Sequence, residues 1–281
     1  MKLEQMLKLK TIFPTVNVHA GQATATDGDV YLSAPCDLPD GAYDQTSVKL
    51  WQVTGSIPEP VEPFNMPEIG DTLATVRLDA VHIHTVSHAM AKYDVRYYLS
   101  GFCLSASGDI VATDGHRMVV VQDVFDSIER DVIVPREAVK YLQKTGQITA
   151  HIYQSWIVFD GLGLTCRLID GRYPNYKRAT PDNPLLIFPN GIDRAIVKKA
   201  LNAAKVSGLN MGAVPLWVEN GKASIGAFDL GETGMFGDCP AGFNVKYLHE
   251  AIDGQIEYRD EKSSILIRNG NTIEVIMPLR K

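Results

Sequence analysis

Val245-Lys246-Tyr247-Leu248-His249-Glu250-Ala251-Ile252, with the segments Ile256–Arg259, Ser264–Arg268 and Ile273–Leu279 behind it, is the stretch on which the reading turns. The first segment reads as a helix and the other three as strands. Ile256/Tyr258 and Ile265/Ile267 alternate with the two-residue period of a pleated chain, and Asn269-Gly270-Asn271 supplies a turn between two of the strands. One helix followed by about three strands is therefore a module, and the rest of the chain can be searched for copies of it.

Copies are found upstream. From Leu78 the first runs through a helix near Asp79–Lys92 and strands at Tyr97–Ser105, Ile110–Thr113 and His116–Gln122. The second has a helix at Arg136–Lys144, then Ile148–Tyr153, Trp156–Phe159 and Leu164–Ile169. A third has a helix at Ile192–Val206, where Ile192, Ala195, Ile196, Lys199 and Ala200 keep the 3.6-residue spacing. Its strands are Val214–Glu219, Lys222–Phe228 and a poorly defined one near Glu232–Phe236. Short echoes support the repetition: Ala25-Thr26-Asp27-Gly28 recurs as Ala112-Thr113-Asp114-Gly115, and Val139-Lys140-Tyr141-Leu142 as Val245-Lys246-Tyr247-Leu248. Ala227-Phe228-Asp229 is a looser third.

Helices and strand triplets used in this way predict an α+β fold, with helices on one face of antiparallel sheets. Two modules make a domain, giving 76–182 and 183–281. The front is shorter: Leu3–Phe13 as a helix, strands at Val16–His19, Gln22–Thr26 and Asp29–Ser33, and a further strand at Ser47–Thr54. Prolines at 58, 60, 63 and 67 make 56–75 a linker, because neither helix nor sheet interior tolerates them. Residues 1–55 are then a reduced N-terminal domain.

Composition is that of a globular protein, with 45% hydrophobic and 21% charged residues and a net charge of -6. No global positive field advertises nucleic acid, so any such role needs the cations gathered on one surface. Cys36, Cys103, Cys166 and Cys239 are scattered, as in a reduced compartment. The charged N-terminus does not read as a signal peptide and no run approaches a membrane span, so no membrane partner and a cytoplasmic place are expected.

Several segments resemble the bacterial DNA polymerase III beta subunit family, the beta sliding clamps. They are Asp94-Val95-Arg96-Tyr97-Tyr98-Leu99, Ala112-Thr113-Asp114-Gly115-His116-Arg117-Met118, Leu168-Ile169-Asp170-Gly171-Arg172-Tyr173-Pro174-Asn175-Tyr176, Phe243-Asn244-Val245 and Val275-Ile276-Met277-Pro278-Leu279-Arg280. They stand in family order over about 76–281. The resemblance implies DNA-clamp domains, and a ring that encircles duplex DNA as a processivity factor without chemistry of its own. It implies a DNA polymerase and a clamp loader as partners, docked through short linear peptides. The peptide groove it implies takes Leu99, Thr113, Gly115, His116, Arg117 and Met118 from the middle domain. Pro174, Arg178 and Ala179 come from the link, and Val275, Met277, Pro278, Leu279 and Arg280 from the tail. Ala179 stands where the family usually has a larger aliphatic residue.

The front departs from the family's three domains of two modules. It leaves dimer, trimer and monomer open, and with them the rival reading of a clamp-derived adaptor or decoy that binds polymerase peptides without encircling DNA.

No phosphate-cradling Gly-rich loop, His-Glu-x-x-His or G-x-S-x-G elbow is present, so no enzyme and no cofactor are expected. His84 and His88 lie one helical turn apart beside His82, but a metal site needs further ligands, and solvated histidines are the plainer reading. Asp114 before Gly115 reads as a tight turn rather than as half of an acid–base pair with His116. Tyr97 and Tyr98 suit base stacking and cross-strand packing equally. Lys140, Lys144, Arg194, Lys198, Lys199 and Lys205 sit on module helices and form the candidate DNA-facing surface.

Overall fold

Every complete unit opens on a strand, turns into a helical segment and continues through three further strands. The computed structural model describes residues 1–8, 14–180, 186–188, 190–206, 214–236 and 240–279. Helix α1 (Leu3–Met6) precedes β1 (Thr15–His19), β2 (Gln22–Thr26) and β3 (Val30–Pro35), after which β4 (Gly41–Asp44) leads into α2 (Gln45–Thr54). Next come β5 (Ala74–Asp79), α3 (Ala80–Ser87), β6 (Gly101–Leu104), β7 (Ile110–Thr113) and β8 (Arg117–Val121). The following unit is β9 (Val132–Pro135), a 3-10 turn at Arg136–Lys140, β10 (Gln147–Ile152), β11 (Trp156–Phe159) and β12 (Leu164–Arg167). Then follow β13 (Leu186–Phe188), α4 (Arg194–Val206), β14 (Pro215–Glu219), β15 (Lys222–Ile225) and β16 (Phe228–Glu232). The last unit is β17 (Ala241–Asn244), α5 (Val245–Glu250), β18 (Gln255–Tyr258), β19 (Ile265–Asn269) and β20 (Thr272–Ile276).

The leading strands β4, β5, β9, β13 and β17 were not anticipated. Each pairs not with its own triplet but with a neighbouring one: β4 with β1, β5 with β10, β9 with β6, β13 with β18 and β17 with β14. β4, β9, β13 and β17 are too short for alternation to be counted, and Val132–Pro135 and Ala241–Asn244 are buried throughout. The four-stranded units so formed join by their third strands. β3 pairs with β12 and β8 with β20, giving two 8-stranded sheets, β4-β1-β2-β3-β12-β11-β10-β5 and β13-β18-β19-β20-β8-β7-β6-β9. A 4-stranded sheet, β16-β15-β14-β17, stands alone.

Several expected boundaries are corrected. Ser47–Thr54 is helical, not a strand. The Asp44 carboxylate accepts from Thr46 N–H and Ser47 N–H to cap α2, and Gly55 at φ 75° ends it. The β-branched and aromatic residues there suggested a strand, and the cap overrides that weak preference. The expected helix at Asp79–Lys92 is strand up to Asp79, whose carboxylate caps α3, and α3 ends at Ser87. Arg136–Lys144 shrinks to the 3-10 turn, and Tyr97–Leu99 is also 3-10 rather than strand. The strand placed at Glu232–Phe236 is β16, and the last strand stops at Ile276 rather than Leu279. Of the helix expected at Leu3–Phe13, α1 covers the start, while 9–13 lie outside the described residues.

The sequence echoes are structural. Thr26 Oγ1 donates to Val30 O and accepts from Gly28 N–H, while Asp27 Oδ1 accepts from Asp29 N–H and Val30 N–H. Thr113 and Asp114 repeat all four bonds one unit later, with Arg117 O, Gly115 N–H, His116 N–H and Arg117 N–H. The Thr-Asp-Gly set thus builds the turn before the third strand. Ala227-Phe228-Asp229 does not; it enters β16 from a two-residue turn.

Residues 56–75 are fastened to the first sheet. Tyr43 bridges Pro60, Val61 N–H donates to Ala42 O, and the Asn17 amide exchanges bonds with both backbone groups of Phe64. No helix among the described residues is long and apolar enough to cross a membrane. Replacing Asp44 with Ala should lower unfolding free energy by about 1 kcal/mol, the usual worth of an N-cap. Urea denaturation followed by circular dichroism checks this, and no loss would mean that the cap does not hold α2.

Candidate functional site

The second sheet is buried on both faces, which explains why β7, β8 and β9 are apolar without alternation. Its inner face, with Phe102, Leu104, Ile110, Ala112, Val119 and Val121, packs in the first core with Ile83 and Val86 of α3. Its outer face presents Cys103, Val111, Met118, Val120, Ile133, Ile273 and Val275 to a separate cluster that also takes Leu99, Tyr173 and Tyr176. The chain after β12 is folded over that face. Ile169 N–H donates to Ile133 O, extending the β9 edge, and Thr113 N–H donates to the Tyr173 hydroxyl at 3.0 Å. Tyr176 donates to Asp109 Oδ2 at 2.5 Å, and burial, then that carboxylate, pushes its hydroxyl up to about 12.

Three of the expected groove residues, Leu99, Met118 and Val275, therefore meet in one cluster, with Thr113 beside them through Tyr173. They form a filled floor rather than an open one: Tyr173 and Tyr176, which the sequence did not assign to the site, pack in the same cluster. Pro174, Arg178 and Ala179 lie on the covering segment, with Pro174 and Arg178 exposed. Gly115 takes φ 87° at the tip of the Asp114 turn, where the Arg96 guanidinium would lie 2.7 Å from an added Cβ. Arg96 also binds the Asp94 carboxylate and holds it at about 2. His116 is exposed at the same turn, and Arg117 beyond it is buried.

Beyond Ile276 the tail leaves the ladder. Met277 N–H donates to His116 O at 2.9 Å and Leu279 N–H to Gly242 O at 2.8 Å, so Met277-Pro278-Leu279 spans from the β8 turn to β17. On its other side it lines an open cavity of about 660 Å³ with Trp217, Glu219, Pro240, Gly242 and Lys262. Trp217 and Gly242 were not foreseen. A Cβ on Gly242 would lie 2.2 Å from the Trp217 ring, so only glycine lets the indole lie across β17. Met277 and Leu279 are thus the accessible apolar residues, whereas Leu99 and Met118 support them from within. Arg280 lies outside the described residues.

A polar cluster locks the units on either side of the β8–β20 ladder. Arg117, 5% exposed, pairs with Asp114 at 3.2 Å and Glu250 at 2.7 Å, donates to His88 O and lies 4.5 Å from the Tyr247 ring centre. Glu274, fully buried on β20, pairs with His88 at 3.1 Å and accepts from Ile252 N–H at 2.8 Å. His84 reaches Gln143 O instead, so α3 does not turn both imidazoles to one point. Among the described residues no group of three or more His, Cys, Asp or Glu could hold a metal.

The expected DNA-facing cations divide. Lys140, Lys144, Lys198, Lys199 and Lys205 are exposed on helical segments or just beyond them. Arg194 is instead spent within the fold: its guanidinium donates to the carbonyls of Leu248, His249, Ala251 and Ile252 and to Asp253, closing the C-terminal end of α5. Lys49 on α2 is exposed as well. Arg117→Met should cost about 3–5 kcal/mol, because it strands buried partner groups. Thermal and urea unfolding test this, and a loss under about 1 kcal/mol would mean that the cluster relaxes without its arginine.

Residues 73–175 match the family model described as the DNA polymerase III beta subunit, central domain. The beta sliding clamp of Salmonella typhimurium is 29% identical over a match covering 70% of this chain and 62% of that protein, and that of Escherichia coli K12 gives the same figures. The chain thus spans 62% of the length of these relatives. A crystal structure of the DNA polymerase III subunit beta from Pseudomonas aeruginosa superposes with a TM-score of 0.73 at 24% identity, covering 95% of this chain and 92% of that one. A putative beta subunit from Eubacterium rectale gives 0.75 at 15%, covering 99% and 95%. At such identities the structures show a shared fold. The matched segment, the related sequences and the fold are all similar to the DNA polymerase III beta subunit family, with residues 73–175 similar to its central domain.

Proposed function

We propose that this protein is a cytoplasmic DNA sliding clamp, a non-enzymatic processivity factor. It encircles duplex DNA and docks a polymerase and a clamp loader through short peptides. The observation that carries the reading is the tail: Met277-Pro278-Leu279 is held open between the His116 turn and β17, beside a cavity large enough for apolar side chains. A linear peptide laid there meets Met277 and Leu279 as an adaptable surface and Trp217 as a wall. His116, Arg178 and Lys262, with Arg280 next in the sequence, suit backbone carbonyls or a carboxylate. The domain limits at 55, 75 and 182 belong to this proposal. So does the inner surface, to which exposed Lys140, Lys144, Lys198, Lys199 and Lys205 contribute sequence-independent phosphate contacts that permit sliding. Arg194 supports that surface by fixing α5 rather than by touching DNA.

A second reading, a clamp-derived adaptor that encircles nothing, is favoured by one observation. After α2 the three strands of a complete unit are missing, and Leu50 and Val53 are left 61% and 84% exposed. Native mass together with retention on circular against linearised DNA separates the two: a clamp persists only on the circle, an adaptor on neither.

Deleting Met277 to Lys281 should abolish binding of a polymerase-derived clamp-binding peptide while circular dichroism and native mass stay unchanged. Fluorescence anisotropy measures this, and unaltered affinity would place the groove elsewhere. Changing Lys140, Lys144, Lys198 and Lys205 to Glu should weaken DNA retention and flatten its salt dependence, by about one unit of slope for each phosphate no longer neutralised. Unchanged retention would show these lysines to be merely solvated.

A further inference from the structure

The cavity beside the tail has an aromatic wall and an acidic rim. Trp217 and Glu219 stand two residues apart on β14 and so share one face of the 4-stranded sheet. Gly242 lies opposite Trp217 on β17, and the indole rests over its backbone where a side chain would otherwise stand. Leu279 N–H donates to the carbonyl of the same glycine, which brings the tail alongside. Indole, β17 and tail thus form a trough with Met277 and Leu279 as its aliphatic side.

The rim above this trough is charged. Glu219 and Glu261, from the turn between β18 and β19, contribute exposed carboxylates. Against these two the described lining sets one ammonium, that of Lys262. Lys222 stands opposite Glu219, but on β15, the side of β14 away from β17 and the tail. The turn that carries Glu261 is braced by Asp260, which accepts from Lys262 N–H and from the Ser263 hydroxyl. A purely apolar ligand would fill the trough and leave its acidic rim unmatched. A long cationic side chain suits both parts, because its stem covers apolar surface while its head meets an aromatic face and carboxylates.

We propose that this cavity takes a lysine or arginine of the docked partner peptide. Its methylenes lie against Met277 and Leu279, and its charge sits between the Trp217 ring and the carboxylates of Glu219 and Glu261. The partner's motif then consists of apolar anchors with one basic residue beside them. The inference rests on the peptide docking of the proposed function and specifies the chemistry of that peptide. The competing occupant is an acidic motif, attracted by Lys262 and repelled by the two glutamates.

The test uses a polymerase-derived clamp-binding peptide, labelled for fluorescence anisotropy, in which each residue flanking the apolar anchors is changed in turn to Lys and to Glu. At one position Lys should bind about three- to tenfold more tightly than the parent residue, the range of a partly desolvated cation–π contact, and Glu more weakly. Glu219→Lys/Glu261→Lys should reverse that order at the same position. Trp217→Leu should remove most of the gain from Lys, with circular dichroism confirming the fold of both variants. The scan on the unaltered protein stands without either variant: no position at which Lys outbinds Glu overturns the proposal, and a preference for Glu throughout gives the cavity to the acidic motif instead. A Lys preference that both variants leave unchanged places the cation elsewhere and overturns it too. The two readings fail separately. A parent peptide that binds without any charge preference refutes this inference and not the docking, whereas absence of binding by every peptide in the set refutes the docking and this inference with it.

Discussion

The antiparallel ladder between β8 and β20 carries the second sheet from one half of the molecule to the other, and the site depends on it. Five register pairs, from Thr272 opposite Val121 to Ile276 opposite Arg117, fix where the tail can go. Met277 emerges beside His116 because Ile276 is already opposite Arg117. Strand side chains alternate faces, so the same register puts Met118 and Val275 together outside and Glu274 inside against His88. A slip of one residue would put Met118 and Val275 on opposite faces and Met118 on the same face as Glu274.

Charged groups at this junction are paired rather than avoided. Glu274 is fully buried and Arg117 nearly so, and each is held by partners from the other side of the ladder. A buried charge is costly unless paired and hydrogen-bonded, and its pairing demands one geometry. A wholly apolar junction would cohere as well but would tolerate sliding. The Arg117–Glu250 pair ties α5 to the strand that follows the His116 turn.

The exchange of leading strands has a similar consequence. Because β9 completes the β6 sheet and β17 the β14 sheet, two units share a core and neither is closed alone. α2 is the exception, since its unit has a leading strand and a helix but no triplet. Its apolar residues at 50 and 53 remain outside. Among the described residues, the third strand left without a partner is β16, in the sheet that stands alone.

The sequence by itself determined the strand triplets, the helices α4 and α5, and the turns built by the Thr-Asp-Gly echoes, because periodicity and local side-chain bonds act within a few residues. It also pointed to the tail, the His116 turn and the link after β12 as neighbours, through resemblance. Tertiary structure alone decided the rest. A four-residue leading strand carries no period, so β4, β9 and β17 were invisible until their partners in another unit were seen. Burial on both faces made Met118 and Leu99 a floor under Tyr173 and Tyr176, although their apolar character suited an open groove equally well. Arg194 looked like a free cation on a helix; which carbonyls lie in reach of a guanidinium depends on packing 54 residues away in the chain. Residues 47–54 had the composition of a strand, and Asp44 made them a helix because two capped N–H groups outweigh a preference of roughly a few tenths of a kcal/mol per residue.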